Sequence, residues 1–546
     1  MLRVARSMAH RLLVLLAFLA PLTAVRADDN PVVGIVAIDS YADIKKQVAW
    51  IGEQVNYPQL AAMAESGVMM ATQFKGLAGL DATRPIGIVV TANGDAPVVH
   101  GYVPVKNLDQ LLDVFKGLVG PAQKEGDKRI LTPPGGAPPI EVIEKDGWAI
   151  FAMQGSPAGT ATAEALITKL TGELSIGAQI FPAAMPDAMR EQVKAMIAQG
   201  VEAAAAQGQP VDASAVSAAF DSIAETESMT LGMAVEPEKQ RLFLESRTVM
   251  VPGSEAADVW AMAGEAGGGI GLPASADGKM ITVQAHHAQA VSPATRTALE
   301  ATLAQALPAG TGDPIRDTLS GLLQDVIGAM LDAGSLTGGL AVDTSRVTPD
   351  AVLPAVTISA KIKNGAALEE QLKKRLGADG ALPPEAKVTF DSGKEGNANL
   401  HTIEINLEGV PNAEKFGGNV AITLAVSDDR VCLLTGGDVA KRVATAMEAA
   451  SHMDAAQKPV TGIDVWVPGV MAYAAAVNAG DPTADVLANV AKEAAAKPGS
   501  LVKLVVRPVE RGVAMRLIAD ASAIQTIAAA VTGQMKDLTK RPMAIP

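Results

Sequence analysis

Apolar positions along the chain fall into short strand-length runs that alternate with longer runs at helical spacing. Val32 to Ile38 is a strand-length apolar run, and Asp39 or Ser40 follows where an N-cap would open a helix. Leu108, Leu111, Leu112, Phe115, Leu118 and Val119 share one face at 3.6-residue spacing, with Asp109, Gln110 and Lys116 opposite, which predicts an amphipathic helix. Asn93-Gly94-Asp95 lies between two β-rich runs, as a hairpin turn does. Pro133 to Pro139 separates strand candidates at Arg129 to Leu131 and Ile140 to Glu144, so it reads as an exposed turn. Asp391 to Asn399 takes the same place between Lys387-Val388-Thr389-Phe390 and His401 to Leu407. Long Ala-rich helices are expected at Met185 to Gln207 and near Val470 to Ala496. Hairpins with segregated helices predict an α+β fold rather than a doubly wound parallel sheet.

Blocks of this pattern occur twice. Arg84 to Val90, a turn and Pro97 to Asn107 before a helix match Gly338 to Val342, a turn and Ala355 to Asn364 before a helix. Gly147 to Ala152 matches Arg430 to Leu434, and Gln179 to Pro182 matches Asp464 to Pro468. Met229 to Ser246 matches Val502 to Asp520. The order is kept at offsets of about 250 to 285 residues, too long a period for a solenoid. The pattern predicts two homologous halves, 28–268 and 269–546, each of antiparallel hairpins or sheet packed with long Ala-rich helices. The junction is the glycine-rich stretch Gly264 to Pro273.

Three of these segments carry a family resemblance: Met229 to Glu245 with Val251-Pro252-Gly253-Ser254, Arg84-Pro85-Ile86-Gly87, and the Pro97 to Val105 hairpin with its helix. They resemble a family of uncharacterised secreted bacterial proteins of about this length. The resemblance implies export and a duplicated fold, and it brings no activity to any residue.

Residues 1–27 change the picture of where the chain works. Arg3, Arg6 and Arg11 precede the apolar run Leu12 to Ala20, and Val25-Arg26-Ala27 fits a cleavage site after Ala27, as in a Sec-type signal peptide. The run is about half the ~20 residues needed to span a bilayer. Losing Arg3, Arg6, Arg11 and Arg26 takes the formal charge from −14 to −18. So acidic a chain argues against nucleic acid as a partner. No later apolar run is long enough to span a membrane, so a secreted or periplasmic protein without a membrane span after cleavage is expected. With 49% hydrophobic and 19% charged residues, the chain is too apolar to be disordered. The single cysteine excludes an intramolecular disulfide framework and a Cys-based zinc cluster.

Chemistry is sparse at the sequence level, and no catalytic, cofactor-binding or metal-ligating residue is assigned. His100, His286, His287, His401 and His452 form no HExxH or HxH motif, and adjacent His286 and His287 point to opposite faces of a strand. Asp391-Ser392-Gly393-Lys394-Glu395-Gly396 resembles a calcium loop, but it lacks the third ligand and the closing Glu, so a hairpin loop is expected. Ser156 reads as a helix cap. Ser500-Leu501-Val502-Lys503 spells SxxK, but at the mouth of a strand and without its partner motifs. Cys432, flanked by aliphatic residues, reads as a buried inert thiol. Glu225 and Glu227 read as a solvated helix end. Met63, Met69, Met70, Met185, Met189 and Met196 read as core filling before a binding groove. The expectation is a non-catalytic binding or scaffold protein whose partner is a protein or an envelope component. The alternatives are a carrier of a hydrophobic ligand and a hydrolase with a scattered site.

Overall fold

The computed structural model describes residues 30–157, 159–160, 162–206, 222–263, 281–306, 314–408, 413–447, 460–497 and 499–540. The expected signal peptide, the glycine-rich junction, Met196's side chain and His452 lie outside them. The chain divides into two compact units, one comprising Met1–Glu53 and Tyr57–Ser254, the other Gln54–Asn56 and Glu255–Pro546.

The first unit runs in order through β1 (Val32–Ile38), α1 (Tyr41–Gln54), α2 (Leu60–Ala71), β2 (Ile86–Asn93), β3 (Ala96–Pro104) and α3 (Leu108–Val119). It continues with β4 (Ala122–Glu125), β5 (Lys128–Leu131), β6 (Ile140–Lys145), β7 (Trp148–Met153), α4 (Ala163–Glu173), β8 (Ile176–Ile180), α5 (Asp187–Ala206), β9 (Thr226–Glu236) and β10 (Arg241–Met250). All its strand pairings are antiparallel, and they give one sheet in the order β4-β5-β6-β7-β3-β2-β1-β8-β9-β10.

The second unit has α6 (Glu255–Ala263), β11 (Val283–Ala290), α7 (Pro293–Ala306), α8 (Pro314–Asp332), β12 (Ser335–Asp343), β13 (Ala355–Lys361) and α9 (Gly365–Leu376). After these come β14 (Ala386–Glu395), β15 (Ala398–Asn406), β16 (Asn419–Val426), β17 (Arg430–Thr435) and α10 (Val439–Met447). The unit closes with β18 (Thr461–Trp466), α11 (Val467–Val477), α12 (Pro482–Ala495), β19 (Leu501–Val509), β20 (Gly512–Asp520) and α13 (Ala521–Lys540). Its strand order is β14-β15-β16-β17-β13-β12-β11-β18-β19-β20, the order of the first unit shifted by ten.

The α+β expectation, hairpins each packed with long Ala-rich helices, is corrected. Within each unit the hairpins merge into one ten-stranded antiparallel sheet, and ten of the thirteen α-helices among the described residues are only 9 to 14 residues long. The merging pairs, such as β1 with β8 and β13 with β17, join segments far apart in sequence, where hydrophobic periodicity carries no register information. The helix expected over Val470 to Ala496 is two helices, because Gly480 turns the chain at φ 96° and Pro482 starts anew with Asp481 capping Thr483.

Local signals held where the physics is local. Ser40 Oγ accepts the Asp43 N–H at 3.1 Å, capping the start of α1. Asn107 caps α3 through Gln110 N–H at 2.9 Å, and Leu108, Leu111 and Leu112 bury against Leu131, Val142 and Ala149. On the other face of the first sheet, Gly87, Ala37 and Gly177 lie side by side. A Cβ at Gly87 would stand 2.4 Å from Ile167 Cδ1, so only glycine lets α4 settle this closely.

Candidate functional site

The hairpin β14–β15 contributes Asp391 and His401 to the one group of three His, Cys, Asp or Glu side chains, among the described residues, whose ligand atoms lie within 4.8 Å of one another. The sequence reading placed Asp391 to Asn399 in an exposed loop, and this is corrected: β14 runs on to Glu395, and the turn is Gly396-Asn397. The register shifts between Thr389 and Gly393, a β-bulge in which Asp391 takes φ 52°. A left-handed Asp is tolerated because its groups are engaged locally. Its N–H donates to His401 Nδ1 at 3.1 Å, and its carboxylate accepts from Lys373 Nζ at 2.8 and 2.9 Å.

Helix α9 supplies the rest. Leu368, Leu372 and Leu376 are buried, which turns Glu369 and Lys373 toward the hairpin. Lys373 also reaches Glu369 at 2.8 Å, one turn away, and Asn399 Nδ2 donates to the other Glu369 oxygen at 2.9 Å. The His401 side chain is 2% exposed, with Nε2 lying 3.5 Å from Glu369 Oε1 without a hydrogen bond. The Phe390 ring meets it edge-on at 6.0 Å. Because Nδ1 accepts, the neutral ring carries its proton on Nε2, toward Glu369. Burial, opposed by Glu369, holds His401 below the ordinary histidine range. Burial raises Glu369, but the Lys373 and Asn399 hydrogen bonds bring it below the usual carboxylate value. The Lys373 hydrogen bond lowers Asp391 in the same way.

The other histidines among the described residues are not brought together with this group. His100 is buried on β3, with Nε2 3.0 Å from the Pro157 carbonyl. His287 Nδ1 meets Thr461 Oγ1 at 2.8 Å, while the His286 ring lies over Gly462 on the opposite face. Cys432 is fully buried with Sγ 3.2 Å from Ser359 Oγ, and burial pushes its thiol up. Ser500 is buried at the foot of β19, and Lys503 pairs with Asp464 at 3.3 Å. Ser500 precedes the strand with φ 64°, so it shares no helix face with Lys503. Ser156 is corrected as a cap: it lies in a turn on the Met153 carbonyl, and α4 starts only at Ala163. Met189 fills core against Val33 and Ala92, but Met63 and Met70 are exposed, contrary to the core-filling expectation.

A second feature recurs in both sheets. On the face opposite Ala37 and Gly177, Ile88, Val36, Ala178 and Leu231 form a cross-strand row over β2, β1, β8 and β9. Leu340, Ala285, Ile463 and Leu504 form the equivalent row over β12, β11, β18 and β19. Beside the first row run Ile38, Ile176, Met233 and Leu244. Much of this face is open: Val36 is 42% exposed, Leu231 65% and Leu244 44%, and in the second unit Ile358 is 45% and Leu517 41%. Four strands of two such rows span about 14 Å by about 7 Å. Flanking apolar strands widen both patches toward the few hundred Å² that mark interaction surfaces.

Sequence reasoning missed Glu369 and Lys373, whose only linear signal is a Glu–Lys pair one helical turn apart. It missed the apolar face because alternation does not say which side is covered. Among the described residues no helix is long and apolar enough to cross a membrane. Comparison with family models, with curated proteins and with solved structures finds no match to this chain.

Proposed function

We propose that the chain is an exported, non-catalytic binding protein of the cell envelope that offers its open apolar sheet faces to a partner protein or envelope component. The observation that carries this reading is the apolar row kept at the same register in both units, with Leu231 65% exposed at its β9 end. A water-facing aliphatic surface, built twice, is retained against its solubility cost where something covers it. The shared strand order supports a duplication that doubled one binding face. A carrier of a hydrophobic ligand is the second reading. It is favoured by the composition of the rows, which are aliphatic and Met with neither the aromatics nor the arginines that anchor protein interfaces.

The test is capture from native envelope extract by the mature chain and by Leu231→Lys, followed by protein and lipid mass spectrometry. A species held by the wild type and retained at about half that amount by the variant is expected, since the second unit's face is intact. Equal capture by both would remove the reading, and the nature of the species decides between partner and lipid.

A further inference from the structure

We infer that Glu369, Asp391 and His401 form a binding site for a divalent transition cation such as zinc, distinct from the apolar faces. One ligand atom from each of the three lies within 4.8 Å of the others. Two carboxylates alone would be a solvated acidic pair. What points to a ligand is His401, 2% exposed, whose Nε2 faces Glu369 with no hydrogen-bond partner, while its Nδ1 lies 3.9 Å from Asp391 Oδ1. A buried polar atom left without a partner is costly, and a metal bond is one way to satisfy it.

The separation fits. Nε2 and Glu369 Oε1 are 3.5 Å apart, close to the ~3.4 Å edge of a tetrahedron with 2.0–2.1 Å metal–ligand bonds. An imidazole with two carboxylates suits zinc or a neighbouring transition metal, and the ring nitrogen disfavours calcium or magnesium. Support behind the ligands is present as well. Asn399 orients Glu369 at 2.9 Å, and the Phe390 ring packs against the imidazole.

A cation already bridges the carboxylates, since the Lys373 ammonium sits 2.8 Å from Glu369 and 2.8 Å from Asp391. Lys373 is therefore the internal competitor, and metal entry swings it into solvent still protonated. Bond formation at Nε2 requires its proton to move, through solvent, to Nδ1. Nδ1 then ceases to accept the Asp391 N–H, which frees the bulge and lets the exposed Asp391 carboxylate close on the ion. No net proton is released by the imidazole, and the fourth position stays open to water.

The experiment is calorimetric titration of the full mature chain with zinc chloride, with circular dichroism checking each variant's fold. One saturable equivalent is expected, weakened at least tenfold in Asp391→Asn and in Glu369→Gln and tightened about tenfold in Lys373→Met. Asp391→Asn is the safeguard against misfolding, because its side chain is 62% exposed and Asn tolerates the left-handed backbone. His401→Gln, if folded, behaves as Glu369→Gln. Absence of saturable binding by the wild-type chain overturns the site, even if Lys373→Met binds, because the native group is then an ionic latch. Binding that Asp391→Asn and Glu369→Gln leave unchanged overturns it equally.

Discussion

The two sheets share one strand order and differ in how they fill it. In the first unit Ala37 is flanked by Gly87 and Gly177, and α4 lays Ile167 and Leu170 into the shallow groove this leaves. In the second, the corresponding strands place His286 between Gly339 and Gly462. A Cβ at Gly462 would stand 2.2 Å from the ring, so the imidazole takes room that glycine clears. The neighbouring row differs likewise. His100 in the first unit bonds a loop carbonyl, whereas Thr357 in the second accepts from buried Arg442. Arg442 also donates to the Thr435 carbonyl at 2.6 Å and to the carbonyls of Gly437 and Val356. The lesson is that a strand order tolerates different buried fillings, provided each bulky group faces a gap.

That comparison breaks most sharply at Ile167. Ile167→Ala removes a fully buried side chain and is expected to cost about 2–5 kcal/mol, read as a lowered midpoint in chemical denaturation. Gly462→Ala comes next, with an overpacking cost of about 1–3 kcal/mol. His286→Ala empties the space that the new methyl needs, so the double variant should recover most of the loss. A double-mutant cycle without coupling would show that the ring does not set the requirement for glycine.

A third test uses pH. Burial holds His100 below the ordinary value of about 6.5, opposed only by its bond to Pro157. The unfolded chain therefore protonates first as pH falls. Stability is expected to decline from about pH 6.5 downward and to level off at the lower folded value. The pH slope of the denaturation midpoint should be shallower in His100→Gln than in the wild type over that window; parallel slopes would contradict it. The smallest effect is at the open face, where Leu231→Ser should leave stability within about 0.5 kcal/mol while diminishing capture.

What the sequence made legible was whatever a few neighbouring residues decide. The strand Val32–Ile38, the Ser40 cap and the buried face of Leu108, Leu111 and Leu112 follow from capping and helical periodicity. The β2–β3 hairpin follows from Asn93-Gly94-Asp95, where Gly94 takes φ 60°. The merged sheet was illegible because β1 pairs with β8 across most of the first unit, and no local pattern encodes that partner. The ionic cluster was illegible for a related reason. A bulge and a left-handed Asp391 convert what composition reads as a loop into strand, and only that geometry brings Asp391 beside Lys373 and His401.

The most direct test of the central claim exploits the register shared by Leu231 and Leu504 on the two open faces. The measurement is the amount of partner or lipid retained from envelope extract by the wild type, Leu231→Lys, Leu504→Lys and the double variant, each shown to be folded. Two equivalent binding faces require that each single variant lose about half the retained material and that the double variant lose nearly all. Full retention by the folded double variant would contradict the account.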